Sequence, residues 1–162
     1  MHQSTRILLI GPAALALLLT HACDREPNTD VTAEIVALER ATLDRWIHGD
    51  PQGYLEIYAP EVTYFDPLIE KRIDGLPAMR DYLTPITGKV KADRYDLISP
   101  KVQRHGEAAV LTFSFVSYTK QPNGSETPGP RWNTTEVYAQ VEGKWKIIHN
   151  HWALNHLKLP TQ

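Results

Sequence analysis

The order of two periodicities along the chain limits its fold more than any other sequence feature. Over residues 31–48 the apolar side chains recur at the spacing of one helix face. After Ala92 the pattern changes to β-rich runs divided by turn signals such as Glu142-Gly143. Helices grouped before strands, with no alternation of the two, predict an α+β domain. The predicted strands cover residues 95–102, 108–118, 131–141 and 144–152 and form an antiparallel meander.

Two further helices and one strand are expected before this meander. Gly49 suits the left-handed end of the first helix, and Asp50-Pro51 has the form of the cap and first residue of a second, short helix. That helix is predicted to run through Tyr58, and a third to begin near Asp74-Gly75. Residues 62–65 are predicted as an additional strand. A strongly curved sheet that wraps around the first helix would leave a conical cavity.

Length and charge narrow the class of protein. The chain has 162 residues, 42% of them hydrophobic, which suffices for one domain with a packed core. Its formal net charge is −2 at pH 7, and no basic run interleaved with aromatic residues occurs. Nucleic acid is therefore not an expected partner, because phosphate backbones are bound through clustered positive charge.

The N-terminus has the layout of a secretory signal peptide. Residues 7–19 are apolar, Arg6 precedes them, and Ala22 supplies a small residue before a cleavage point. This apolar stretch is shorter than a typical membrane span. We expect residues 1–22 to be removed and the mature protein to be exported to the periplasm or cell envelope.

The single cysteine, Cys23, directly follows that segment. A lone thiol in an exported chain cannot form an internal disulfide. Its position resembles the bacterial lipoprotein signal, in which the cysteine becomes the lipidated first residue. Ordinary cleavage after Ala22, which would leave a free thiol, is the alternative. The lipoprotein interpretation makes residues 23–29 a tether, residues 30–158 one domain, and the lipid the sole attachment to the membrane.

Asp66 is the main candidate for a functional residue. It ends the apolar segment Val62-Thr63-Tyr64-Phe65 and is followed by Pro67. A carboxylate in this position can act as a general base if it points into a cavity. Aspartate before proline is also common turn chemistry at the end of a strand, so a purely structural role stays open.

The arrangement of these segments resembles the nuclear transport factor 2-like superfamily. The resemblance rests on Gly49-Asp50, on residues 58–67, on Ile73-Asp74-Gly75 and on the closing segment 142–152, and it spans about residues 30 to 155. It implies a cone-shaped, cystatin-like α+β fold with the N-terminal helices packed in a curved, mainly antiparallel sheet. Because the superfamily includes both SnoaL-type polyketide cyclases and ketosteroid isomerases, the fold alone does not choose a function. The resemblance implies no cofactor.

Within the superfamily, the ketosteroid isomerases are similar from Gly49 to Gly75. Their catalytic aspartate falls on Asp66, which the resemblance makes a candidate base. Their two oxyanion donors fall on Thr42 and at or beside Thr135, so neither donor is kept, and the loss of such donors costs orders of magnitude in rate. Steroid isomerisation is therefore not expected.

The association domain of calcium/calmodulin-dependent kinase II is similar through Gly124 and through residues 135–151. There the domain assembles rings, and its pocket presents arginines to carboxylate ligands. The positions of those arginines are Phe115, Glu136 and Trp152 here, so a carboxylate clamp is not expected. The resemblance implies a homodimer or higher homo-oligomer, assembled through the outer face of the sheet.

Strand alternation and the resemblance together predict the residues that line a pocket. On the last strand, strict alternation puts Lys146 and Ile148 on one face with Asn150 and Trp152, and His149 and His151 on the other. No third metal ligand is indicated beside the two histidines, so a metal site is not expected. The predicted pocket residues are Thr42, Trp46, Tyr54, Tyr64, Phe113, Phe115, Tyr138, Asn150 and Trp152, with Ser117 and Thr134 beside them.

Glu136 is the second candidate for a catalytic role, as a polar partner. A glutamate in a central strand is costly unless it is paired or exposed. Facing inward it could share a proton with Asp66 or pair with Arg131, and facing outward it would be a solvated strand residue. Trp46 and Tyr54 have a similar alternative, because aromatic residues on a helix stripe are often plain core.

Two functional hypotheses follow. The first is proton-transfer chemistry on a small, mainly apolar substrate, such as isomerisation, dehydration or cyclisation, with Asp66 as base. The second is a non-catalytic module that uses the cavity for a ligand or the sheet for oligomerisation. The presence of Asp66 favours a pocket, and the missing oxyanion donors weaken the case for catalysis.

Overall fold

A computed structural model describes residues 31–155 of the chain. The predicted signal peptide, Cys23 and the tether lie outside this range, and so do the last residues of the predicted domain. The expected α+β class is confirmed, with helices packed against a curved, open, six-stranded sheet.

The helices precede the main strands, as the periodicity predicts. Helix α1 covers Val31–Trp46, α2 covers Gln52–Ile57, and α3 covers Leu76–Leu83 and runs into a single 3₁₀ turn at Thr84–Ile86. The predicted second helix ends one residue early, because Tyr58 adopts an extended backbone with φ −70° and ψ 143°. In the range 31–155, none of the helices has the length and apolarity that a membrane span needs.

Six strands form one sheet, with the bounds β1 Tyr58–Phe65, β2 Ile73–Asp74, β3 Arg94–His105, β4 Ala108–Lys120, β5 Glu126–Val141 and β6 Lys144–Leu154. Their order in the sheet is β2, β1, β6, β5, β4, β3. Strands β3 to β6 make the predicted antiparallel meander, and β1 adds to its edge in parallel with β6. The short β2 was not predicted, and it pairs antiparallel with β1.

A β-bulge in β6 corrects the expected alternation of that strand. Val137 of β5 pairs with His149 while Tyr138 pairs with Ile147, so Ile148 is an extra residue on β6. The extra residue reverses the side-chain phase, and Trp145 and Ile147 are buried although strict alternation puts them opposite Asn150. Lys146 and Ile148 therefore do not share the inner face with Asn150 and Trp152. The expected inward position of Asn150 is nevertheless observed, with its side chain fully buried.

Gly49 fixes how the end of α1 meets the segment after α3. Its φ is +80°, and a Cβ there would lie 2.9 Å from the Gly88 Cα and 3.0 Å from the carbonyl oxygen of Val90. The Gly88 amide donates to the Gly49 carbonyl at 2.8 Å, and the Ala92 amide donates to Ile47 at 2.9 Å. This close contact holds the segment of residues 86–92 against the helix.

We expect Gly49→Ala to destabilise the fold by at least about 1 kcal/mol more than Gly124→Ala. Both glycines have a left-handed φ, +80° and +83°, so both substitutions carry the backbone strain of about 1–2 kcal/mol. A Cβ added at Gly49 would in addition lie too close to backbone atoms, whereas nothing lies within 4 Å of a Cβ at Gly124. Urea unfolding of the two variants measures the difference, and equal losses of unfolding free energy would contradict the close contact.

Candidate functional site

A cavity of about 250 Å³ lies between the helices and the inner face of the sheet. Helices α1 to α3 and the 86–90 segment form one wall, and β1, β4, β5 and β6 form the other. The residues that line it are Trp46, Ile47, Tyr54, Tyr58, Tyr64, Asp66, Leu68, Tyr82, Leu83, Ile86, Val90, Phe115, Ser117, Trp132 and Trp152. Leu68 is 75% exposed and marks the side of the cavity that faces solvent.

Aromatic rings make up about half of this lining. Trp152 meets Phe115 and Trp132 edge-on, with centroids 5.8 and 6.2 Å apart. Tyr54 stacks on Tyr58 at 5.8 Å, and Trp46 meets the same Tyr54 ring at its edge. Such ring pairs stabilise one another and present both faces and edges to the enclosed space.

Asp66 is half-buried at the exposed side of the cavity and accepts three hydrogen bonds. Its Oδ2 accepts the Tyr64 hydroxyl at 2.9 Å and the Tyr82 hydroxyl at 2.6 Å. Its Oδ1 accepts the backbone amide of Leu68 at 2.6 Å, which closes a turn stabilised by the aspartate side chain. Both interpretations of the sequence thus apply to one residue, since Asp66 ends the strand with a turn and also lines the cavity.

A second acidic group lies deeper. Glu39 of α1 and Glu136 of β5 are both fully buried, and both carboxyl groups lie within hydrogen-bond distance of the Tyr138 hydroxyl. Tyr138 Oη lies between them, 2.9 Å from Glu136 Oε2 and 3.3 Å from Glu39 Oε2. Ionisation of one carboxyl disfavours ionisation of the other, so the two do not both ionise at their ordinary pKa values.

Burial is the main cause of an altered protonation in this pair. Desolvation raises the pKa of Glu39 above the ordinary glutamate value, although its hydrogen bonds oppose the shift. Desolvation and the negative charge of Glu39 raise the pKa of Glu136 much further. Both shifts favour the protonated carboxyl, and the stronger shift is that of Glu136, so Glu136 is the member of the pair that holds a proton more strongly.

Two cavity tyrosines connect this acid pair to the cavity. The Tyr54 hydroxyl donates to Glu39 Oε1 at 2.7 Å. The Asn150 amide donates to Glu136 Oε1 at 3.0 Å and to the Tyr58 hydroxyl at 3.1 Å. Burial, followed by the charges of the two glutamates, raises the pKa of both tyrosines, so both hydroxyls stay neutral.

The predicted site residues separate into two layers. Asp66, Trp46, Tyr54, Tyr64, Phe115 and Trp152 line the cavity, together with Ser117. Glu136, Tyr138 and Asn150 belong to the hydrogen-bonded layer around the acid pair. Phe113 packs edge-on behind Trp152 at 5.7 Å, and Thr42 donates its hydroxyl to the Leu38 carbonyl one turn earlier in α1 at 3.0 Å. Neither Phe113 nor Thr42 is among the lining residues.

The partner of Glu136 differs from both partners considered from sequence. It is neither Asp66 nor Arg131 but Glu39, which the sequence analysis missed. The signal was present, because Glu39 follows the buried Ile35 by four residues and precedes the buried Leu43 by four, on one helix face. Tyr58, Tyr82 and Trp132 were missed as well, and only the third dimension brings Tyr82 of α3 to Asp66.

His149 and His151 lie on the opposite face of the sheet, as expected. His149 Nδ1 is 2.8 Å from Thr63 Oγ1, and both rings pack against Phe65, which is 39% exposed. Between residues 31 and 155, no group of three metal-ligating side chains is close enough to hold a metal ion.

Fold and cavity define the class of protein, a nuclear transport factor 2-like domain. A candidate ketosteroid isomerase from Parabacteroides distasonis is 34% identical, with a TM-score of 0.69 over 83% of this chain and 95% of that protein. The association domain of Caenorhabditis elegans calcium/calmodulin-dependent kinase II is 21% identical, with a TM-score of 0.63 over 76% and 95% of the two chains. The latter likeness supports the fold alone.

The family is defined by sequence. The profile of the calcium/calmodulin dependent protein kinase II association domain matches residues 31–155, and the chain belongs to this family. The kinase type II alpha chain of Drosophila melanogaster is 25% identical over 122 residues, which are 73% of this chain and 23% of the kinase. The chain thus spans about a quarter of the curated relative that it matches.

We expect the acid pair to make the fold less stable as the pH rises. An unfolded glutamate loses its proton near pH 4.3, while the folded pair retains one. Because the folded state then binds more protons than the unfolded state, the unfolding free energy should fall by about 1.4 kcal/mol per pH unit above that pH, until the folded pair also ionises. Glu136→Gln should remove most of this slope. Urea unfolding between pH 5 and 8 measures it.

The matched control is Glu61→Gln, which neutralises an exposed glutamate on β1. This variant should keep the wild-type slope. Parallel pH dependences for wild type and Glu136→Gln would show that the two carboxyls do not share a proton.

Proposed function

We propose that this chain is an exported domain that binds a small, mainly apolar molecule in its cavity, anchored to the cell envelope through lipidated Cys23. The observation that carries the proposal is the cavity itself, whose wall is aromatic and aliphatic and whose described lining contains one charged residue, Asp66. A concave apolar site with few polar groups is the usual form of a ligand pocket. Asp66 and the hydroxyls of Tyr64 and Tyr82 would orient the ligand.

The contacts of the polar residues favour binding over catalysis. The hydroxyl of Thr42 is occupied by its own helix, and Thr135 is exposed. Neither can therefore stabilise an anion that forms in the cavity. Both acceptor positions of Asp66 Oδ2 are taken by tyrosine hydroxyls, and Oδ1 already accepts an amide. Little acceptor capacity is left for a substrate proton.

Assembly into a homodimer or a higher homo-oligomer is part of the proposal. Some solved structures with the same fold are association domains or hubs of calcium/calmodulin-dependent kinase II. On this chain the outer sheet face carries the exposed Phe65 between His149 and His151. An exposed aromatic residue on a sheet face suits a contact between copies.

The test is native mass spectrometry of the protein purified gently from its own host as the Cys23→Ser variant, which we expect in the soluble fraction. The spectrum should show more than one subunit and a small molecule that remains bound. The control is Val90→Trp, which fills the cavity with a large side chain and should lose the molecule while it keeps the subunit number. A monomer with no bound molecule, or a molecule that persists in Val90→Trp, would refute the proposal.

Proton transfer by Asp66 is the second candidate function, because a carboxylate borders the cavity where the ligand's C–H bonds would lie. If Asp66 is a base, the bound molecule should exchange a carbon-bound proton with D2O, and Asp66→Asn should slow this exchange at least about 100-fold. Proton NMR of the molecule recovered from the protein measures the exchange. No protein-dependent exchange, or an unchanged rate in Asp66→Asn, would exclude this chemistry.

A further inference from the structure

The electrostatic character of the cavity narrows the chemistry of its ligand. The described lining residues include eight aromatic rings and no lysine, arginine or histidine. The faces of aromatic rings carry partial negative charge, and they attract cations most strongly where water is excluded.

Carboxylates border the cavity at two depths. Asp66 lies in its wall on the exposed side. Below the floor, the carboxyls of Glu39 and Glu136 are both fully buried and act on the cavity tyrosines Tyr54 and Tyr58. Buried charges act over longer distances than exposed ones, because little solvent screens them.

The tyrosines transmit this charge to the cavity surface. Tyr64 and Tyr82 donate to Asp66, and Tyr54 donates to Glu39. A hydroxyl that donates to a carboxylate becomes polarised, which makes its ring a better partner for a cation. Burial and the surrounding negative groups together raise the pKa of Tyr54, Tyr58 and Tyr64.

Among residues 31–155, the charged side chains that act most on the pKa of the cavity tyrosines are all carboxylates. The charged groups that act on Tyr54, Tyr58 and Tyr138 are the two glutamates, joined at Tyr58 by Asp66. The ion pairs of Arg45, Arg72 and Arg94 are made with other, partly exposed carboxylates. A negative, desolvated, aromatic site is therefore complementary to a positive ligand with an apolar surface.

We propose that the cavity binds an organic cation, a substituted amine or quaternary ammonium group held between the rings of Trp46, Trp152 and the cavity tyrosines with Asp66 as counter-ion. This inference rests on the proposed ligand-binding function and specifies its ligand class. It excludes carboxylates, which the same negative charges would repel.

The test compares three probes of almost equal shape: choline, its uncharged carbon analogue 3,3-dimethylbutan-1-ol, and the anion 3,3-dimethylbutanoate. Isothermal titration calorimetry measures binding, and tryptophan fluorescence reports it independently, because Trp46, Trp132 and Trp152 line the cavity. Choline should bind at least about tenfold more tightly than the alcohol, and the anion should be the weakest.

Two variants separate the charge of Asp66 from the overall charge of the protein. Asp66→Asn should weaken choline at least about tenfold more than it weakens the alcohol. Asp81→Asn, which removes an exposed carboxylate beside Tyr82 in α3, should change neither. If the tryptophan fluorescence of Asp66→Asn shows that the variant does not fold, the comparison of the three probes on the wild-type protein still decides whether the cavity prefers a cation.

Each outcome has one meaning. If the alcohol binds as tightly as choline, the cation inference is overturned while the ligand-binding proposal stands. If the anion binds best, the charge argument itself is contradicted. If none of the three binds, the cation inference is overturned, and native mass spectrometry of the co-purified molecule decides the ligand-binding proposal separately.

Discussion

The buried carboxyl pair of Glu39 and Glu136, bridged by Tyr138, is the interaction on which the rest of the site depends. It joins the first helix to the central strand β5, and Tyr138 Oη, 99 positions after Glu39, lies between the two carboxyls. A carboxylate buried alone in this core would be costly, because an ionised group away from water needs hydrogen bonds that compensate for the lost solvation. The hydrogen bonds from Tyr54, Tyr138 and Asn150 make the arrangement tolerable.

The same interaction shapes the cavity above it. Tyr54 and Tyr58 are fixed at their hydroxyl ends by Glu39 and Asn150, so their rings form a rigid floor. The polar atoms of this floor point down to the acid pair, and the carbon faces point toward the cavity. An apolar, negatively polarised pocket is the result, and Asp66 adds the charged rim. A pocket with fixed groups loses little conformational entropy when a ligand binds.

The family relationship does not predict what the cavity binds, and the side chains of the cavity do. The fold is that of an association domain, and the chain belongs to that family. Fold does not determine what a pocket binds, because that depends on the side chains of the site. Here Phe115, Glu136 and Trp152 are two cavity rings and one buried acid, and none of them supplies a positive charge.

Much of the fold could be predicted from the sequence, because helix caps, hydrophobic periodicity and turn residues are local signals. Asp66 was found in this way, since its strand and its proline are adjacent to it. Only one member of the acid pair could be identified from the sequence. Glu136 attracted notice as a glutamate in a central strand, whereas the one signal for Glu39 was its place on the apolar face of α1. No local signal pairs residues so far apart.

The bulge at Ile148 escaped prediction for a related reason. The position of a bulge depends on the register between two paired strands, and the sequence of one strand does not show that register. It matters for the site, because it allows Ile147 and Asn150 both to face inward. Strict alternation would have placed one of them outside.

The most direct test of the central claim is a carbon-13 NMR titration of the glutamate side-chain carboxyls, with assignment through Glu39→Gln and Glu136→Gln. The account predicts that the Glu136 carboxyl is still protonated at pH 7 and titrates in steps coupled to Glu39. Two carboxyls that both ionise near the ordinary glutamate value, with independent single steps, would contradict it.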